Sequence, residues 1–468
     1  MFFDILTIIR FYIRNGGRNM QKNDERLGTA PLGKLMVSMA VPAVAAQLIN
    51  MLYNIVDRIY IGHIEGYGDL ALTGVGVTFP ILMLISAFSG FAGMGGAPLA
   101  SIQLGRKNYD EAEKILGNST GLILGFSVIL TIFFSIFKTP ILYAFGASDA
   151  TIGYAVSYIG IYLIGTVFVQ IAVGLNTFIS GQGAAKTAML SVLIGAVINI
   201  CLDPLFIFVF GLGVRGAALA TIISQAVSAM WVLRFLTSKK SVIRIRLVNL
   251  RPNGQIIKKI AALGISPFIM QSTECVVSVT LNSGLQTYGG DMYVGTMAIM
   301  SSIMQLIVIP INGITQGVQP IISYNFGAGN IKRVKQTFTR MIAVCLLGTL
   351  LVGGVAVFES HIYAGIFTSN AELAKLTASV MPVYFFGMMF FGIQCACQST
   401  FIALGQAKTS VFIALLRKVI LLIPLAIILP KFVGVMGIYY AEPIADIISV
   451  TTTAILFIIT FKRVAKNY

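Results

Sequence analysis

Residues 93–108 read GMGGAPLASIQLGRKN, and residues 315–330 read TQGVQPIISYNFGAGN. Gly95 falls on Gly317, Pro98 on Pro320, Gly105 on Gly327 and Asn108 on Asn330, each pair 222 positions apart. The same offset carries GAAKT at 183–187 onto GQAKT at 405–409, and one position out of phase GVRG at 213–216 meets GVMG at 434–437. A period this long, met once, describes one architectural plan built twice.

The material between these markers is apolar. The chain has 468 residues, 57% of them hydrophobic and 11% charged, against roughly 25% charged in soluble domains. Apolar runs of about 20 residues, the length that crosses a bilayer as a helix, recur from end to end. They are too long and too uniform for the alternating strands of a membrane barrel. The spans are expected near 36–62, 71–97, 115–137, 151–178, 187–210 and 214–236, then 258–287, 293–320, 338–358, 376–403, 409–430 and 434–461. The fold class is therefore all-α and polytopic, with twelve transmembrane helices in two six-helix bundles. The repeated segments end helices on the same side in both halves, so a pseudo-two-fold axis along the membrane normal relates the bundles. That arrangement suits alternating access about a central cleft.

The chain divides into an N-terminal cytoplasmic segment 1–30, a first bundle 31–237, a basic linker 238–257, a second bundle 258–461 and a tail 462–468. About 26 of the 33 Lys and Arg lie in the tails and the even-numbered connections, which puts both termini in the cytoplasm. The net charge of +16 is thus a topology signal with some attraction for anionic lipid, and nucleic acid is not an expected partner. Residues 1–19 read either as an interfacial helix carrying Arg10 and Arg14 or as sequence ahead of a start at Met20. Cys201, Cys275, Cys345, Cys395 and Cys397 fall in spans without zinc-ligand spacing and are expected to be buried free thiols. No HExxH, histidine-partnered nucleophile or catalytic carboxylate pair is present, so enzymatic chemistry is not expected.

A charge inside a span is costly and faces a partner or water. Asp57, Asp203, Glu274, Glu442 and Asp446 are such residues. In NICLDP, Asn199 and Asp203 are four apart and share a helix face; Tyr53 and Asp57 repeat the spacing, with Asn50 a further turn back, and Thr221 adds a hydroxyl. Carboxylate, amide and hydroxyl oxygens without Cys or His suit Na⁺ or a shared proton. Desolvation favours a neutral carboxyl while a bound cation favours the ionised one, so the two ions compete. The same residues also suit a purely structural hydrogen-bond network. Arg58 points about 100° away from Asp57 and is expected to snorkel or to meet another span. Glu274 has no basic residue at helical spacing and reads as a lone carboxylate that attracts a cationic substrate or sits protonated. Arg417 and Lys418 read as lying near a cytoplasmic end.

AVPAVAAQLINMLYNIVDRIYIGH, ALTGVGVTFP, the LGRKN loop, INICLDPLFIF with GVRGAALAT, YNFGAGN and ALGQAKTS together resemble the multidrug and toxic compound extrusion (MATE) family over about residues 30–461. The resemblance implies a two-lobed secondary antiporter in the bacterial inner membrane that exports organic cations and drugs in exchange for Na⁺ or H⁺, acting as a monomer and using no other cofactor. It implies a cation-coupling set at Asp57, Asn199, Asp203 and Thr221, with Tyr53 alongside; the same four oxygen donors are the Na⁺ ligands if Na⁺ is the ion. A second-bundle acid of the family aligns with Glu274. Where some members carry an Asp in the tenth span, this chain has only Gln394 and Gln398, which with Glu274 and Asn50 are the expected substrate-binding residues. A lipid-linked precursor flippase of the wider superfamily is the alternative, and it calls for a cationic cavity.

Overall fold

A computed structural model describes residues 23–368 and 370–466. The readings placed on Arg10, Arg14 and Met20 lie outside the described residues. Eleven described helices are long and apolar enough to cross a membrane, and a bent pair supplies a twelfth. In chain order they are α1 Leu32–Gly62, α2 Gly68–Gly105, α3 Tyr109–Ala144, α4 (Ile152–Ile164 joined to Thr166–Gly181 at 62°), α5 Ala185–Val209 and α6 Val214–Thr237. The second set is α7 Gly254–Gly289, α8 Asp291–Gly327, α9 Ile331–Phe358, α10 Ala371–Ala403, α11 Ala407–Val433 and α12 Met436–Lys466.

Every expected span is a helix, and several helices are longer than expected. α2 runs eight residues past the expected end at 97, and α3 begins six residues before 115. Hydropathy marks the apolar middle of a helix, whereas caps set its ends. The repeated asparagines do this: Asn108 accepts a hydrogen bond from the Glu111 backbone N–H at 3.2 Å, and Asn330 accepts one from that of Arg333 at 3.1 Å. Each satisfies an orphan donor in the first turn of α3 or α9.

The repeated glycines have a different task. In the first bundle α1 packs on α5, α5 on α6, and α2 on α3; in the second α8 packs on α9, α10 on α12, and α7 on α11. Between bundles α2 lies along α7, and α1 and α2 lie along α8. Apolar lipid leaves little hydrophobic drive for helix association, so close backbone approach matters most. A Cβ on Gly105 would fall 2.0 Å from the Tyr324 carbonyl oxygen, and one on Gly327 would fall 2.0 Å from that of Ile102. The two copies of the motif thus cross each other at the interface. Gly95 and Gly264 bring α2 and α7 together in the same manner. Gly213 and Gly434, matched by the GVRG and GVMG alignment, both adopt positive φ, 54° and 64°.

The basic linker is bound to the first bundle. Gln182 Oε1 accepts from the Ser241 hydroxyl at 3.1 Å and from the Val242 N–H at 2.7 Å. Glu113 accepts from the Arg244 N–H and pairs with Arg246 Nε at 2.6 Å. Asn118 Oδ1 accepts from the Asn253 N–H at 2.7 Å, and Asn253 in turn caps α7. At the other chain crossing, the short helix Asn23–Thr29 docks on the second bundle. There the wholly buried Leu27 offers its carbonyl to Asn325 Nδ2 at 2.9 Å, and Arg333 donates to the Leu27 and Ala30 carbonyls.

The five cysteines are free; Cys345 and Cys397 are buried, Cys275 and Cys395 half-buried. Cys201 departs from the expectation of burial and is exposed. A small apolar thiol is tolerated on an exposed face of a spanning helix as readily as in its packed face.

Candidate functional site

α1 lies along α5, and α5 along α6, so the polar faces noted in the sequence converge. Asp203, next to last in the α-helical part of α5, is 0% exposed; Asn199, one turn earlier, is 1% exposed. The Asn199 amide donates to Asp203 Oδ1 at 3.1 Å. Pro204 supplies no N–H to the carbonyl one turn back, and over Leu205–Val209 the helix widens into a π turn, a feature frequent at functional sites. Asp57 on α1 is 8% exposed and lies within electrostatic reach of Asp203. Thr221 on α6 is also buried.

Tyr53, one turn before Asp57 and within its electrostatic reach, makes polar contacts with Asn54 and Gln225. Tyr158, from the first limb of α4, makes a polar contact with Thr221 and lies within reach of both Asp57 and Tyr53; Tyr162 lies within reach of Tyr53. These two tyrosines and Gln225 were not singled out from sequence. The available signal was the i, i+4 spacing of Tyr158 and Tyr162 on one face of a span. Arg58 makes no ion pair with Asp57 but stays within its electrostatic reach, and its guanidinium sits 5.2 Å from the centroid of the Phe79 ring on α2.

Three buried oxygens in this cluster have no hydrogen-bond donor: Asp57 Oδ1, Asn199 Oδ1 and Asp203 Oδ2. An unsatisfied buried polar group costs about 1–3 kcal/mol, more when charged. The arrangement therefore fits a positive ion or protons, shared by two carboxylates, an amide and hydroxyls. Its donor set is oxygen throughout, which suits a hard cation. Among the described residues, no group of three or more His, Cys, Asp or Glu side chains is placed to hold a metal ion by itself.

The second bundle holds a separate charged cluster, and two expectations are corrected there. Arg417 and Lys418 do not lie near an end of α11. Both are buried part-way along it, where the helix widens into a π segment at Leu416–Leu422. Nor is Glu274 a lone carboxylate: it is ion-paired with Lys418, which also donates to the Met270 carbonyl at 2.9 Å. Arg417 bridges Glu442 at 2.7 Å and Asp446 at 2.6 Å and lies 4.6 Å from the centroid of Phe391. These partners sit on different spans, where helical spacing carries no signal.

The remaining sequence candidates are dispersed. Gln398 is tied to α7 and α11, donating to Ser266 Oγ at 2.7 Å and to the Ser410 carbonyl at 3.0 Å. Gln394 is buried with its Oε1 unpartnered. Asn50 is exposed, and its carbonyl accepts from Asn54 Nδ2 at 2.6 Å.

The MatE family model matches residues 42–205 and 267–428, one block in each bundle. The chain belongs to the MatE family. A curated relative, the multidrug export protein MepA of Staphylococcus saprophyticus, is 28% identical over 424 residues, covering 89% of this chain and 91% of that protein. MepA of Staphylococcus aureus is 26% identical over 425 residues, with 89% and 91% covered. Among solved structures, a MATE protein in the bent conformation has a TM-score of 0.88 at 22% identity, covering 95% of this chain and 99% of that one. An outward-facing multidrug resistance MATE transporter has a TM-score of 0.87 at 22% identity, with 95% and 98% covered. At that identity the structures establish the fold: twelve helices in two bundles.

Proposed function

We propose that this protein is a secondary multidrug exporter. It expels organic cations across the cell membrane by alternating access, in exchange for Na⁺ or H⁺ bound among Asp57, Asn199, Asp203 and Thr221. The observation that carries the reading is the trio of buried, donorless oxygens at the meeting of α1, α5 and α6. The curated relatives named above, whose names describe multidrug export, support the substrate class.

The positive basic balance of the tails and even-numbered connections supports a topology with both termini in the cytoplasm. On that orientation the Gly105–Tyr324 and Gly327–Ile102 crossings close the cytoplasmic end, and the cleft faces outward.

A bound cation supplies the positive charge that lets two carboxylates sit side by side. Without it Asp57 and Asp203 repel each other in a low-dielectric setting, and α1 can move relative to α5. With it Asp57 is drawn toward Asp203, and Tyr53 and Tyr158 re-aim their hydroxyls at the pair. α1 also contains Pro42, which removes one backbone hydrogen bond and eases bending there. Bending or repacking of α1 changes the space inside the first bundle and releases the drug outward.

The flippase alternative needs free cations facing the cleft. Arg58 lies over an aromatic ring, Arg417 is held by two carboxylates and Lys418 by one, which weakens that alternative. The test is drug uptake into inside-out vesicles with Na⁺ and pH gradients imposed separately. Asp57→Asn and Asp203→Asn are each expected to abolish gradient-driven uptake at normal expression. Wild-type uptake rates in both variants reject the assignment.

A further inference from the structure

The coupling scheme leaves the charged cluster of the second bundle unused. Within it, Arg417 is fully committed to Glu442 and Asp446. Lys418 is held differently. Its side chain is 9% exposed, while that of its partner Glu274 is 44% exposed, so a buried cation neutralises an open carboxylate. Glu274 also lies at a particular depth. Gln271, one turn earlier on the same face of α7, has its Oε1 3.6 Å from where a Cβ on Gly90 of α2 would sit. Phe268, a turn further back, packs on Phe88 and Phe91 with centroids 4.9 and 6.0 Å apart. Glu274 is therefore one turn beyond the contact where α2 and α7 close on each other.

The ammonium also has somewhere else to go. Glu442 lies within its electrostatic reach, and Asp446 Oδ2, wholly buried, has no donor. Three carboxylates here face two cations. A second positive charge arriving at Glu274 can be accommodated if Lys418 turns toward α12, and no carboxylate is left bare at either stage. The π segment that holds Lys418 is the wider, less regular turn that permits such movement.

We propose that Lys418 is a tethered surrogate for the exported molecule. It occupies the Glu274 carboxylate and the Met270 carbonyl until a protonated amine takes both acceptors, and it is then received by Glu442. The proposal rests on the export reading and narrows its substrate class. A surrogate that donates N–H to two acceptors selects monocations that also carry N–H groups. A quaternary ammonium brings equal charge and no donor, and leaves the Met270 carbonyl and one carboxylate oxygen without that hydrogen bond. Discrimination by a missing donor is stronger than discrimination by size.

The test uses the full chain in lipid nanodiscs, titrated calorimetrically with 4-phenylbutylammonium and with 4-phenylbutyltrimethylammonium. Wild type is expected to bind the first at least about tenfold more tightly, although its smaller head group loses more hydration. Lys418→Met, which removes the competitor, is expected to tighten both by about tenfold, and Glu274→Gln to lose both. Lys418→Arg keeps the charge but grips the carboxylate with a planar fork, and is expected to weaken both. Equal wild-type affinities for the two head groups overturn the proposal without any variant. So do wild-type affinities in folded Lys418→Met and Lys418→Arg. Flux of the same two probes into vesicles separates the two readings. Export without head-group preference sinks the tether and leaves export standing, whereas selective binding without any flux sinks export and leaves the site standing.

Discussion

Replacing Gly105 or Gly327 by alanine perturbs the crossing of the repeated motifs directly. The added Cβ would fall 2.0 Å from a backbone carbonyl oxygen in either case, where ordinary contact begins at 3.4 Å. The backbones must therefore part by about 1.4 Å, because neither blocked atom can rotate aside. Overpacking costs about 1–3 kcal/mol, and it falls only on the conformation in which α2 and α8 cross at this end. At about 2 kcal/mol, with tenfold per 1.4 kcal/mol, the equilibrium moves about 30-fold away from that conformation. A state held by about nine molecules in ten falls to about one in four.

The assay is double electron–electron resonance between nitroxides at Lys186→Cys and Lys408→Cys, with the native cysteines replaced. Both positions are exposed and lie in the repeated GAAKT and GQAKT turns. Each alanine variant is expected to gain a longer-distance population. Gly125→Ala, on α3 with nothing within 4 Å of the new Cβ, is expected to leave the distribution alone. If Gly105→Ala and Gly327→Ala both fold and both give the parent distribution, or if Gly125→Ala moves it as far, the closure described here is misassigned.

Other perturbations follow from the same contacts. Arg417→Met leaves Glu442 and Asp446 buried without their shared cation and is expected to destabilise the second bundle by about 3–5 kcal/mol, seen as a lower melting temperature; adding Glu442→Gln and Asp446→Asn restores most of it. Gln182→Ala leaves the Val242 N–H without its acceptor and the Ser241 hydroxyl with only the Ile243 carbonyl, a loss of about 1–3 kcal/mol, and limited trypsin digestion at Lys239, Lys240 and Arg244 accelerates. Asn108→Ala and Asn330→Ala each remove a cap worth about 1 kcal/mol, and hydrogen exchange rises in the first turns of α3 and α9, with no change expected elsewhere.

The repeat was legible because its markers are backbone devices. A glycine at a helix crossing and an asparagine at a helix start depend on residue type at one position, and the constant offset exposes both. Asp57, Asn199 and Asp203 were legible because an apolar span makes every polar side chain conspicuous, and spacing by four assigns a face. Tyr158 was not legible, since a tyrosine in a span reads equally well as packing, and its approach to Thr221 is made across two helices. The Lys418–Glu274 pair joins residues 144 positions apart, and no periodicity reaches across that distance. Arg417 with Glu442 and Asp446 lay nearer to view. The two acids are four apart on α12 and share a face, which asks for a buried cation without naming it.

The linker's attachment to the first bundle bears on how far a small motion carries. With Ser241, Val242, Arg244, Arg246 and Asn253 all anchored to α3 or to Gln182 at the end of α4, the linker moves with the first bundle, and a pivot falls just after Asn253, at the foot of α7. That helix has 36 residues, which at 1.5 Å each makes a lever about 54 Å long. A tilt of about 10° at such a pivot sweeps the far tip through about 9 Å, by simple trigonometry on that length. A gate wide enough for a drug-sized molecule thus needs only a few backbone dihedrals to turn.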